Sequence, residues 1–219
     1  MFIRQCKFWV LCLCMVMTTA VQAGDKRIGI LVFDGVLTSD ITAPLEVFGI
    51  ASRQSWFNDY EVITINVGSA KTIKTEEGLT LSVDAYLSEK PEVEVLLMPS
   101  AYDMAHLISN RMLISYIQKT TKKAEWIASN CSGALVLAEA GVLDGKKATT
   151  WAGGEPKMAS IYPAVHVLAD TNYVIDGNVI TSNGGVVSYQ AALALLTEIA
   201  GASRAKEVEE TLQMERVWK

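Results

Sequence analysis

Short, almost wholly apolar runs separated by helical stretches are the feature that most limits what this chain can fold into. After Arg27, the run to Phe33 (Ile-Gly-Ile-Leu-Val-Phe) offers no polar face to water, and neither do most residues from Val93 to Met98. Strands of this kind are buried on both sides, as in parallel sheets. Between them, Ile41 to Ala51 reads as a helix with Pro44 tolerated in its first turn. Asp103 to Lys123 carries Met104, Leu107, Ile108, Leu113 and Ile117 at helical spacing and ends in basic residues suited to a helix C-terminus. Tyr60 to Val67 and Glu125 to Asn130 read as strands, and Leu79 to Val83 alternates like a half-exposed one. Further on, Gly133 to Glu139 is helical and closed by Gly141, and Ala148 to Trp151 is a short strand. Val174 to Ser182 is a hairpin turning at Asp176-Gly177-Asn178, and Val186 to Ala200 is a buried helix. This alternation predicts an α/β three-layer sandwich with a mostly parallel central sheet, in which ligands bind beyond the carboxyl ends of the strands.

The first residues read as an address. Arg4 and Lys7 precede the apolar run Phe8 to Met17, and Val21-Gln22-Ala23 supplies the small residues of a signal-peptidase site, so residues 1–23 are expected to be a signal peptide cut after Ala23. The apolar run is short for a membrane span, which needs about 20 residues. A periplasmic or secreted protein of residues 24–219 is expected, with no stable membrane insertion after cleavage. That length suits one domain.

Cleavage simplifies the cysteine chemistry. Of four cysteines, Cys6, Cys12 and Cys14 leave with the leader, and Cys131 stays alone, so no internal disulfide is expected. Paired-cysteine zinc sites are excluded, and with only His106 and His166 besides, no metal or other cofactor is expected. The chain carries 19 Lys and Arg against 24 Asp and Glu, and the leader removes two of the positive charges. Such an acidic chain repels phosphate backbones and anionic lipid, so nucleic acid is not an expected partner.

In Ile127-Ala-Ser-Asn-Cys-Ser-Gly-Ala134 a strand meets a helix with no loop residues between them. The residue at such a junction takes a strained backbone conformation and points its side chain above the sheet. Ser129 and Gly133 are small enough for the close packing this requires. The unpaired amides of the next helical turn favour an anion there, which predicts a lowered thiol pKa for Cys131. The alternative is an inert core cysteine.

Asn130 to Thr150, with Asp40-Ile-Thr-Ala-Pro-Leu-Glu-Val-Phe48 and Asp176-Gly-Asn-Val-Ile-Thr-Ser-Asn-Gly-Gly185, resembles the ThiJ/PfpI superfamily, in order and over nearly the whole mature chain. The resemblance implies a class I glutamine amidotransferase-like, flavodoxin-like fold and a homodimer. The branch it looks like contains isonitrile hydratases and the sensor domains of AraC-type regulators. Those regulators carry a helix-turn-helix domain after this fold, and none is read in the residues up to Lys219, so a regulator is not expected.

By the same resemblance Cys131 is the nucleophile, Asp40 the acid beside it, and Ser132 the hydroxyl residue that follows. On residues alone, Asp40 has an alternative role as N-cap of the helix starting at Ile41. Ser100, Ala101 and Gly133 are the expected substrate-binding positions; Pro99-Ser100-Ala101 stands where relatives often have Pro-Gly-Gly, whose amides form an oxyanion-type site. Thr150-Trp151-Ala152 stands where many relatives have a histidine, which speaks against a Cys-His dyad and against peptidase chemistry. Glu46 is expected to be structural, at a dimer contact. Three functions follow: a small-molecule hydratase or lyase resembling isonitrile hydratase, a glyoxalase- or deglycase-like enzyme acting on reactive carbonyls, and a non-enzymatic module that binds a ligand or senses oxidant. Protein recovered from its native host is expected to start at Gly24; an intact mass that retains Met1 would overturn export by cleavage.

Overall fold

The structure, a computed structural model, describes residues 26–217, so the expected leader lies outside the described residues. Eleven strands are described: β1 Lys26–Val32, β2 Tyr60–Asn66, β3 Thr72–Lys74, β4 Thr80–Ser82, β5 Ala85–Tyr86, β6 Val95–Met98, β7 Trp126–Asn130, β8 Lys147–Ala148, β9 His166–Val167, β10 Tyr173–Asp176 and β11 Val179–Ser182. The helices are α1 Thr38–Ala51, α2 Ala105–Ile108, α3 Arg111–Thr120, α4 Gly133–Glu139, α5 Glu155–Ile161, α6 Val187–Ala200 and α7 Ala202–Thr211. The main sheet runs β10-β11-β7-β6-β1-β2-β5 and is parallel apart from the β10-β11 hairpin. That is the expected α/β architecture, a mostly parallel sheet flanked by helices.

Burial explains the parallel core. Ile28, Ile30, Leu31 and Val32 of β1 and Val95, Leu96, Leu97 and Met98 of β6 are all buried, as strands covered on both faces must be. α1 and α6, which contact each other, pack on one face. α4 packs on β6 and β7, with α2 and α3 beside it, on the other. Strand order reverses between β1 and β6, which opens a crevice at their carboxyl ends.

Several boundaries differ from the sequence reading. Asp103 to Lys123 is two helices, because the Asn110 side chain accepts from the Met112 and Leu113 amides (3.1 and 3.2 Å) and starts α3 anew. The apolar spacing of that stretch carries no sign of the interruption. The strand expected over Ala148 to Trp151 is the two-residue β8, Lys147–Ala148, since the Thr149 amide bonds Thr181 and the Thr150 hydroxyl bonds the Cys131 carbonyl instead. Thr80–Ser82 pairs only with β3, in a separate ribbon.

α4 begins directly beneath the end of β6, and glycine makes that possible. A Cβ on Gly133 would lie 2.3 Å from the Met98 carbonyl oxygen and 2.7 Å from that of Pro99. Both obstacles are backbone, which yields little. Gly133→Ala is expected to lower the unfolding free energy by about 1–3 kcal/mol, read from the denaturant midpoint; an unchanged midpoint would mean that the β6 end shifts freely.

Candidate active site

Four consecutive strand ends converge in the crevice. Asp40 follows β1, Ser100 follows β6, Cys131 ends β7, and Gly184 and Gly185 follow β11. Cys131 has φ +51°, a conformation that non-glycine residues rarely adopt and that the loop-free junction imposes. Its amide donates to the Ser182 carbonyl (2.9 Å) and its carbonyl accepts from the Thr150 hydroxyl (2.9 Å), so the strained residue is held from both sides. The Asn183 side-chain amide donates to the Thr150 carbonyl and steadies that partner in turn.

Asp40 lies in the first turn of α1 and does not cap it; Leu37 is the N-cap residue. The carboxyl group is fully buried, and a buried carboxylate needs donors. Oδ1 accepts from the Gly185 amide (2.9 Å) and the Ser188 hydroxyl (3.2 Å), and Oδ2 accepts a short bond from the Ser100 hydroxyl (2.5 Å). Asn130, next to the cysteine, donates to the Asp40 carbonyl (2.9 Å) and accepts from the Ser182 hydroxyl (2.7 Å), which ties β7 to α1 and β11. Gly184 is packed into the same knot. A Cβ there would lie 2.4 Å from Cys131 Cβ and 2.8 Å from Asp40 Oδ1, and its φ is +79°.

The Asp40 carboxyl is pushed above its ordinary pKa by burial, with the Ser100, Gly185 and Ser188 hydrogen bonds opposing. The Cys131 thiol is also pushed up: burial dominates, the nearby Asp40 charge adds to it, and hydrogen bonding from Ser100 and Ser132 pulls the other way. This corrects the expectation of a lowered thiol pKa. That expectation weighed the amides of the following turn and omitted the desolvation and the buried acid, which outweigh them. Alkylation of the native thiol is therefore expected to titrate above the free-cysteine value of about 8.5, and Asp40→Asn, which deletes the neighbouring negative charge, should move the midpoint down. A midpoint that stays or rises in Asp40→Asn would show that the two groups do not sense each other.

Ser100 stands between acid and thiol. It is fully buried, and its hydroxyl, bonded to Asp40, also lowers the thiol pKa by hydrogen bonding. Ser100 and Gly133 lie beneath the cavity floor and do not line it, whereas Ala101 and Ser132 do. The Ala101 amide is not open to the cavity, since it donates to Met104 Sδ (3.1 Å). The Ser132 hydroxyl donates to the Ala101 carbonyl (3.1 Å). Glu46 is exposed and accepts from the Tyr189 hydroxyl (2.6 Å), joining α1 to α6. His106 and His166 are exposed, the former edge-on to Phe33.

The cavity above Cys131 has a volume of about 470 Å³ and is walled by Leu37, Met104, Leu135, Trp151, Ile161 and Tyr162. A second cavity of similar volume lies at the opposite ends of the strands, between Leu87 and α3, and has no cysteine in its lining. Among the described residues no group of three or more metal-binding side chains occurs, and no helix is long and apolar enough to cross a membrane. Sequence reasoning missed Gly184, Gly185, Ser188 and Thr150 as parts of the site. A Gly-Gly pair immediately after a strand was the available signal, since such a pair lets backbone approach a buried group.

An isonitrile hydratase from Pseudomonas putida is 29% identical over 191 residues, covering 86% of this chain and 78% of that protein. The transcriptional regulator CdhR of Pseudomonas aeruginosa is 26% identical over 145 residues, covering 66% of this chain and 43% of the regulator. The crystal structure of a ThiJ/PfpI family protein from Pseudomonas syringae superposes with a TM-score of 0.76 at 23% identity, covering 94% of this chain and 81% of that one. Residues 26–198, which contain every group of the Cys131 site, match the DJ-1/PfpI family, and the chain belongs to that family.

Proposed function

We propose that this protein is an exported, cysteine-dependent hydratase that converts isonitriles to N-substituted formamides, with Cys131 as nucleophile and Asp40 as proton shuttle. The observation that carries this reading is that Cys131, on the floor of an apolar cavity, and the buried Asp40, which accepts from Ser100, lie on either side of Gly184. Similarity to isonitrile hydratase supports the choice of substrate. Trp151, at the position where histidine is common among relatives, fits a reaction assisted by a carboxyl group and not by imidazole.

The proton and bond changes balance without a redox partner. The thiol proton passes to Ser100 as the Ser100 proton passes to Asp40, leaving a thiolate beside a neutral acid. Sulfur attacks the terminal isonitrile carbon, and Asp40 returns its proton to that carbon through Ser100, giving an S-linked thioimidate. Water adds across the C=N bond, its hydroxyl to carbon and its proton to nitrogen. The C–S bond then breaks, the carbon becomes a formyl group, and the hydroxyl proton returns to sulfur.

Asp40→Asn keeps the shape of the side chain and removes the shuttle, so turnover is expected to fall by about 10² or more, while the melting temperature moves little. Cys131→Ala is expected to abolish turnover. Ser100→Ala should lower turnover and also destabilise the fold by about 1–3 kcal/mol, because Asp40 Oδ2 loses its donor. Steady-state assays by infrared loss of the isonitrile band check all three. Wild-type turnover in Asp40→Asn would end the partnership, and turnover of 2-oxoaldehydes in place of isonitriles would favour the glyoxalase reading. Binding without turnover of either class would favour a sensor.

A further inference from the structure

Building on that reading, we infer that the substrate carries an uncharged, apolar substituent that packs on the indole of Trp151, and that Gly154 sets this wall. Thr150 is bonded to the Cys131 carbonyl, so the next residue is fixed beside the nucleophile. The indole lies against Gly154 so closely that a Cβ there would be 2.0 to 2.3 Å from its Cε2, Cδ2 and Cζ2 atoms. The Gly154 amide donates to the Trp151 carbonyl (2.8 Å), and the buried Glu155 carboxylate accepts from Gly153 (2.7 Å), which closes the turn and leaves the ring no room to retreat. The wall is thus preformed, and a ligand meeting it gives up little ordering entropy from the protein.

The rest of the lining selects the same chemistry. Leu37, Leu135 and Ile161 present hydrocarbon, and Tyr162 commits its hydroxyl to Glu139 (3.1 Å), leaving its ring as the cavity surface. Among the described residues the only charged side chains on the lining are Asp103 and Lys157, both exposed and of opposite sign, so a charged substituent finds no net partner. Apolar area removed from water is then the main source of affinity. The space of about 470 Å³ exceeds what the reacting N≡C group needs and accommodates an aryl or branched alkyl group.

The test compares methyl, butyl and benzyl isocyanide and isocyanoacetate as substrates of the mature protein. kcat/KM is expected to rise at least about tenfold from methyl to benzyl and to be lowest for isocyanoacetate. In Trp151→Ala the loss for benzyl should exceed the loss for methyl by about tenfold or more, chiefly through KM, and Trp151→Phe should restore most of it. Binding of N-benzylformamide to the Cys131→Ala protein, followed by calorimetry, supplies a readout that does not need turnover. If no isonitrile is consumed yet N-benzylformamide binds and Trp151→Ala abolishes binding, the hydratase reading fails and the apolar subsite stands. If isonitriles are consumed with no dependence on substituent size, or isocyanoacetate is preferred, the subsite is overturned and the hydratase reading survives.

Discussion

A carboxyl group removed wholly from water is the constraint around which this crevice is organised. Asp40 is 0% exposed, and desolvation of that kind is tolerated only where donors replace the lost solvent. Those donors come from the segment after β6, from the turn that follows β11 and from the first turn of α6, so the acid draws together parts of the chain that sequence holds far apart. Gly184 has no side chain because one would occupy the space between the acid and the nucleophile. The position of Cys131 follows from the same knot, through Asn130 and Ser182.

Burial has a chemical consequence as well as a structural one. Burial pushes the pKa of acid and thiol alike upward, and the Asp40 charge makes ionisation of the thiol harder still. The Ser132 amide and the serine hydroxyls pull the other way without reversing the direction. This separates the site from one built around a permanently charged thiolate. Ser100 spends its hydroxyl proton on Asp40, and its oxygen is left able to accept.

Much of the fold was legible because its cause is local. Apolar runs such as Ile28 to Val32 allow only a doubly covered strand, and the direct passage from Ala128 to Gly133 allows only an elbow with Cys131 at its tip. The start of α3 at Asn110 was not legible, because the apolar spacing continues through it and only the cap interrupts the helix. The location of Ser100 was visible, but its partner was not: a serine in a turn says nothing of which buried group it will face. Ser188 and Gly185, at sequence separations of 148 and 145 residues from Asp40, lie beyond any periodicity argument. The direction of the thiol shift depended on desolvation, a property of the packed state.

Those long separations govern the order in which the protein becomes chemically competent. A chain emerging N-terminus first presents β1 and Asp40 early, then Ser100, then the elbow, yet the acid lacks two of its donors until β11 and the start of α6 arrive. Closing so large a loop is slow relative to forming the helices and hairpins between. A chain that stops before those residues holds Asp40 without two of its donors. Completion of the Asp40 surroundings is tied to the last third of the polypeptide, so a truncated product carries the cysteine beside an acid that lacks the donors its burial requires.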